Sequence, residues 1–380
     1  MTIKHNIVLV KNKLITIDAI LPLLIELKKY HNYSSDIIVF DKDAHDGINN
    51  NVLIRDAIEY VGREVFITKG IKNKLYRRIY LIKGILLIIF KSSLGANLFH
   101  FGMLDIFPLK ILNFVFKKNV YSFHGKGYSF QKQKYLIDSG NKPKSVNKSG
   151  INCISFDGNF DSCKEFKFKF SYISPRKRKV WIDYVKERSC YYREKYHNGI
   201  NFNNGCIVVA TGPVIGQAKK FRDSFNDSER LFINTINVLT QYSNKIPILI
   251  KPHVFTDMKT LKKIIHNKDN VFITYLHPTL LSMHARVFIS NMFSNILADA
   301  HTFGVETIEY TNYNSELLKA TQGKSIEEKF VTHFINDDYD RFKVVALEAL
   351  SKEYEKPLFS GIVGNNSKLL DNITHNNLLR

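Results

Sequence analysis

The stretch Ile246-Pro-Ile-Leu-Ile-Lys-Pro-His253 constrains this chain more than any other. It is an apolar run that ends abruptly in a cation, a proline and an imidazole. A short apolar run flanked by breakers reads as a fully buried strand of the kind found in parallel sheets. Pro252 has no N–H to give a ladder, so the strand stops where Lys251 and His253 emerge at its carboxyl end. In open α/β sheets that is the end where ligands bind. A second unit follows, with a strand over 270–274, a helix over 278–284 and a strand over 285–290. Next come Ser290-Asn-Met-Phe-Ser294-Asn295 and a helical pattern over 296–302. Ser and Asn at a strand-to-helix junction offer hydroxyls, amides and backbone N–H groups to an anion. Two strand ends thus present a cation, an imidazole and hydroxyls, and the expectation is a phosphate site.

The rest of the chain repeats that alternation. Strands are predicted over 6–10, 36–40, 65–68, 97–101 and 119–123, with helices over 17–30, 72–91 and 108–117 between them. After a polar break over 142–150 come a strand over 151–155, a charged helix over 176–196 and a polar stretch over 198–205 that reads as an interdomain linker. A second alternation opens with a strand over 206–210 and a helix over 228–242. The class expected is α/β, with two Rossmann-like domains facing a central cleft. The predicted boundaries are 1–198 for an acceptor domain and 206–340 for a nucleotide-sugar domain. Helices over 341–380 are expected to pack back on the first domain.

Charge narrows the partners. The chain has 55 Lys plus Arg against 35 Asp plus Glu, a formal +20. Such a field attracts nucleic acid, anionic lipid or negatively charged substrates. Nucleic acid is not expected, because the usual binding signatures are missing. The dense run Arg176-Lys-Arg-Lys179 reads as a solvated basic face or as a membrane-surface contact. The most apolar segment, 79–90, is too short to span a bilayer and reads as a buried or interfacial helix. Four cysteines without CxxC pairing fit a reducing compartment. The location expected is the cytoplasm, with peripheral contact to the inner membrane.

No GxGxxG follows a strand, GxxxxGK[ST] and HExxH are absent, and no acidic cluster proposes a metal. The candidates are strand-end residues. Asp157, followed by Gly158 and flanked by Phe156 and Phe160, is a carboxylate able to accept a proton from an acceptor hydroxyl; the other reading is a plain Asp-Gly turn. His124 can act as a base or bind an acceptor oxygen, or be a backbone-bonded structural histidine. Asp223 can stabilise an oxocarbenium-like centre or attack it, or merely cap a helix, with Asp227 as its competitor. Lys251 and His253 can hold a departing phosphate, helped by Ser290, Ser294 and Asn295 and by the loop that carries Thr211, Gly212 and Gln217.

The order of these motifs resembles bacterial surface-polysaccharide glycosyltransferases of the GT-B type that use CMP-activated sugars, namely Kdo transferases and bacterial sialyltransferases. An acidic-Gly pair (Asp157-Gly158) is followed by Lys251-Pro252-His253 and then by a serine-containing stretch from Ser290 to Asn295. The usual acidic pair before glycine is here Phe156-Asp157, and a true His277-Pro278 lies further on. The opening Lys11 to Asp18 and the Gly216-Gln217 loop with its downstream Asp223 look more like retaining β-Kdo transferases. The resemblance implies a CMP-sugar donor, a glycan or glycolipid acceptor and no cofactor or obligatory divalent metal. It further implies that Asp157 sits near the acceptor, that Asp223 meets the sugar, and that the His/Pro and serine motifs grip CMP. A rival within transferases is a CDP-polyol phosphotransferase resembling teichoic-acid polymerases, because His124-Gly125 looks like their His-Gly. A third reading is a non-catalytic basic module that docks on membrane or polymer.

Overall fold

Short runs of Ile, Val, Leu and Phe, buried on both faces, become the strands of two parallel sheets. The structure is a computed structural model that describes residues 4–10, 15–71, 73–101, 109–124, 151–156, 169–212, 227–242, 245–253, 256–292, 294–364 and 367–375. The first sheet holds β1 (His5–Val10), β2 (Ser34–Val39), β3 (Gly62–Phe66), β4 (Asn97–Phe101), β5 (Val120–His124), β6 (Asn152–Phe156) and β7 (Phe170–Tyr172). Its order is β3-β2-β1-β4-β5-β6-β7, with every described pairing parallel. The connecting helices are α1 (Ile15–His31), α2 (Lys42–Asn50), α3 (Val52–Val61), α4 (Lys74–Ser93) and α5 (Leu109–Val115).

Helix α6 (Lys179–Tyr196) leads to the second sheet, made of β8 (Cys206–Ala210), β9 (Ile248–Lys251), β10 (Val271–Ile273), β11 (Ala285–Ser290), β12 (Glu306–Thr311) and β13 (His333–Asn336). Here the order is β10-β9-β8-β11-β12-β13, again parallel throughout. Its helices are α7 (Ser228–Leu239), α8 (Met258–Ile265), α9 (Pro278–Ser282), α10 (Leu297–Thr302), α11 (Ser315–Ala320) and α12 (Tyr339–Ser351), and α13 (Ser367–His375) closes the described chain. In each sheet the chain steps outward from its first strand, then returns to the other side of that strand. The order therefore reverses between β1 and β4 and between β8 and β11. Such a switch point leaves a crevice at the carboxyl ends of the two strands.

Two compact units result, residues 1–127 with 143–183 and 361–380, and residues 128–142 with 184–360. The boundary falls inside α6, not in the 198–205 stretch expected as a linker. That stretch packs within the second unit. His197 Nε2 lies 2.9 Å from Thr274 Oγ1, and the Phe202 ring sits 5.9 Å from that of His284. The C-terminal helices also divide. Segment 341–354 was expected across the first domain. Instead α12 buries Phe342, Ala346 and Leu350 among Ile308, Tyr310 and Ile335 of the second sheet, with Phe342 stacked on Tyr310 at 4.3 Å. Only α13 joins the first unit, where Tyr121 donates to Asn372 at 2.9 Å and Leu369 and Ile373 are buried.

The basic run Arg176–Lys179 is neither a solvated face nor a lipid contact at its centre. Arg178 is buried, paired with the buried Glu26 of α1, and its guanidinium lies 4.9 Å from the Tyr172 ring. Lys179 pairs with Asp183 at 2.9 Å. The returning tail fixes this corner, because Ile362 N–H donates to Lys177 O at 2.7 Å and Lys179 N–H donates to Ile362 O at 3.1 Å. Strands β7 and β13, Phe170-Ser-Tyr172 and His333-Phe-Ile-Asn336, were not expected, because each mixes polar with apolar residues and no apolar run marks it.

Candidate functional site

Strand register sets one row of residues along the carboxyl edge of the second sheet. Lys251 of β9 pairs with Ala210 of β8, Ala210 with Ser290 of β11, and Ser290 with Glu309 of β12. Side chains alternate along a strand. Ile250, Val209, Ile289, Ile308 and Tyr310 fill the core under α7 and α12, so Lys251, Ala210, Ser290 and Glu309 share the opposite face. Strand spacing puts the Lys251 and Ser290 backbones about 10 Å apart across the switch point. The Lys251 and Ser290 positions expected from sequence thus stand on one edge and one face.

The loops beyond these strands are tied together. Thr211 N–H donates to Lys251 O at 3.1 Å, and Asn291 N–H donates to Ala210 O at 3.3 Å. His253 N–H donates to Thr211 Oγ1 at 3.0 Å, Thr256 Oγ1 donates to Gly212 O at 3.3 Å, and the two threonine hydroxyls are 2.9 Å apart. One proton order satisfies all three contacts. Thr211 receives from His253 and gives to Thr256, which gives to Gly212. Thr211 is therefore committed to latching the β8 and β9 loops together. Gly212 lets the β8 loop run close to the β11 loop, since a Cβ there would stand 3.2 Å from Met292 Cβ and 3.3 Å from its sulfur.

The other expected donor residues sort by what they touch. Ser290 is fully buried, and its hydroxyl donates to the Met292 carbonyl, which shapes the turn. Ser294 is half-buried with no side-chain hydrogen bond among the described residues, and Asn295 is exposed. Lys251 is half-exposed. The protein around His253 disfavours its charged form and lowers its pKa, although solvent still reaches the ring and moderates that effect. His277, of the alternative His-Pro pair, is buried and caps α9, accepting from Thr279 N–H at Nδ1 over 3.1 Å. Asp157, Asp223 and Gln217 lie outside the described residues. For His124 only the backbone is described; it closes β5 opposite Ser155 of β6, one residue before Phe156 ends that strand.

Two residues at this edge had no sequence signal of their own. Ser228 opens α7, 3.7 Å from where a Gly212 Cβ would stand, and its buried hydroxyl has no hydrogen-bond partner among the described residues. A bare hydroxyl at a helix N-terminus adds a donor to a region already favourable to anions. Glu309 is fully buried, receiving Tyr313 and Ser325 hydroxyls at 2.5 Å each. Burial outweighs those hydrogen bonds and pushes its carboxyl up to about 7. Only its pairing with Ser290 across the sheet, which sequence does not show, places it on this row. Among the described residues no group of three or more His, Cys, Asp or Glu is arranged to hold a metal ion.

No protein-family model matches the chain, and no curated protein matches it. Solved structures do. A UDP-N-acetylglucosamine 2-epimerase from Rickettsia bellii superposes with a TM-score of 0.57 at 10% identity, covering 100% of this chain and 98% of that chain. The wall teichoic acid polymerase TagF, in a structure soaked with CDPG, superposes with a TM-score of 0.52 at 13% identity over 98% of this chain and 88% of that chain. The GT-B domain of a Photobacterium damselae sialyltransferase gives a looser match, with a TM-score of 0.47 at 10% identity, over 87% of this chain and 99% of that chain. The shared feature is the fold. Two parallel-sheet Rossmann-like domains in one chain, the class expected from the alternating pattern, are what the epimerase and the polymerase have in common with it. That fold serves proteins described as an epimerase and as a polymerase, so the choice of chemistry rests on residues.

Proposed function

We propose that this chain is a glycosyltransferase that moves Kdo, or a related ulosonic or sialic acid, from its CMP conjugate to a growing bacterial surface glycan or glycolipid. The observation that carries the reading is the switch-point edge of the second sheet. Lys251, the Ser294 hydroxyl and the Ser228 hydroxyl all stand at carboxyl ends or at the helix start beside them. A leaving CMP needs cations and N–H or O–H donors as the bond from the anomeric carbon to its phosphate oxygen breaks. In the retaining form the Asp223 carboxylate takes the place of that oxygen. The acceptor oxygen then displaces Asp223 while Asp157 receives the acceptor proton, with His124 as the alternative base. The donor carries one phosphodiester and a carboxylate, so a basic edge can hold it without a divalent metal. Turnover that stops on chelation and returns with magnesium would overturn that part.

The test is a thermal-shift panel with CMP, CDP, UDP and GDP on the full chain. The largest shift is expected with CMP, and Lys251→Ala should abolish most of it. A preference for UDP, or no nucleotide effect at all, counts against the proposal; the second result returns the non-catalytic docking module.

A second reading is polyol-phosphate transfer from a CDP conjugate. It draws on His124-Gly125 at the carboxyl end of β5 and on the fold shared with the wall teichoic acid polymerase. Turnover of CMP-Kdo against CDP-glycerol separates the two, with loss of CDP-glycerol turnover in His124→Ala as the mark of the second.

A further inference from the structure

Helix α4 carries apolar residues on its outer face as well as on the face that covers the sheet. Its inward face sets Ile88 in the core of the first sheet, with Tyr80 and Leu81 packed against that core, among small and polar neighbours. Gly84 packs so close to Ile67 that a Cβ would meet the Ile67 side chain at 2.8 Å, Ser92 is buried, and Lys91 reaches Asp36. A second set of large apolar residues turns outward. Ile79, Ile82, Leu86 and Phe90 recur at helical spacing on one stripe about 100° wide, and all are exposed, Leu86 by 58%. Helix α5 also has apolar residues on both faces. Its Leu112 joins Ile88 of α4 in one core cluster, so both helices cover the same face of the first sheet, while Ile111 and Phe114 point out, Phe114 by 73%. Soluble surfaces scatter such residues singly; a contiguous stripe marks a docking face.

Charge decides what docks. Between Glu64 and Asp105 the sequence has seven Lys or Arg and no Asp or Glu. Arg78 and Lys83, both exposed, flank the apolar stripe, and Lys110, Lys117 and Lys118 are exposed around α5. A second copy seated on this face would set cations against cations. Nucleic acid would satisfy the cations and leave the leucines and isoleucines in water. An anionic phospholipid surface satisfies both, taking the apolar stripe below the headgroups and the cations among the phosphates. We propose that the α4–α5 face is a monotopic docking surface for an anionic bilayer. No helix among the described residues is long and apolar enough to cross a membrane, so the contact would lie in the interface plane.

The experiment is flotation of the full chain with phosphatidylcholine vesicles and with vesicles that also contain phosphatidylglycerol. Binding to the anionic vesicles is expected, weaker in high salt and much weaker on phosphatidylcholine alone. The double variant Ile82→Glu with Leu86→Glu should lose binding by tenfold or more, while Arg78→Gln with Lys83→Gln should lose roughly tenfold. All four side chains are exposed, so both variants should keep the wild-type Tm and its response to CMP, which separates this test from the proposed donor site. Failure to float with either vesicle overturns the proposal, and so does undiminished binding by the glutamate variant. A dimer in sedimentation velocity that the glutamate variant dissociates, without vesicle binding, would assign the face to a second copy instead.

Discussion

Glu309 titrates in an unusual place for a carboxylate. A group whose folded pKa, about 7, stands above its ordinary 4.5 binds its proton more tightly in the folded state. Its contribution is therefore most favourable at low pH and is lost as pH rises through that window. Glu309→Gln keeps an acceptor for the Tyr313 hydroxyl and removes the charge. We expect the variant to flatten the fall in Tm between pH 5 and 7 and to be more stable than wild type above pH 7 by roughly 1–3 kcal/mol. A slope unchanged by the substitution would place the charge elsewhere. Arg178 offers the opposite case. Arg178→Met leaves Glu26 buried without its cation, which should cost about 3–5 kcal/mol in chemical denaturation. Pairing it with Glu26→Leu should recover most of that loss, because two apolar groups can replace a buried ion pair.

At the scale of elements, the carboxyl edge of the second sheet depends on loops that touch. Gly212 and Met292 bring the β8 and β11 loops into contact, and the Thr211–Thr256 latch holds the β9 loop against them. Gly212→Val should push the Met292 loop away and lower stability by about 1–3 kcal/mol. It should also reduce the CMP-dependent thermal shift more than its own Tm loss accounts for. A full CMP response in the variant would mean that the spacing of these loops does not shape the donor site. The opposite end of the first sheet is built for stability. Burial alone would raise the Asp36 pKa, but His5, Lys91 and Arg63 together hold it well below the usual carboxylate range. That network sits away from the carboxyl edge and asks for no ligand.

Across the whole molecule, the strand predictions came close where the strand was long enough to bury a continuous apolar run. Strands 206–210 and 285–290 match β8 and β11 residue for residue, and Lys251 ends β9 because Pro252 cannot continue its ladder. The two-Rossmann class follows from the same alternation. Sequence could not show which strands are neighbours, and with them which side chains share a row. Ser290 reads as a phosphate donor in sequence, yet its hydroxyl is turned into its own loop; Glu309 reads as an ordinary acid, yet the sheet seals it. The basic run at Arg176–Lys179 reads as surface until Glu26, far away in sequence, meets Arg178 inside. Helix α4 reads as basic and apolar from its residues alone, and only its seat on the first sheet shows that Ile88 goes inside while the stripe of Ile79, Ile82, Leu86 and Phe90 is left out. Local physics, meaning apolar periodicity, proline and glycine, determined the elements and their ends. Which polar group meets which is a matter of long-range pairing, and that was decided only when the sheets formed.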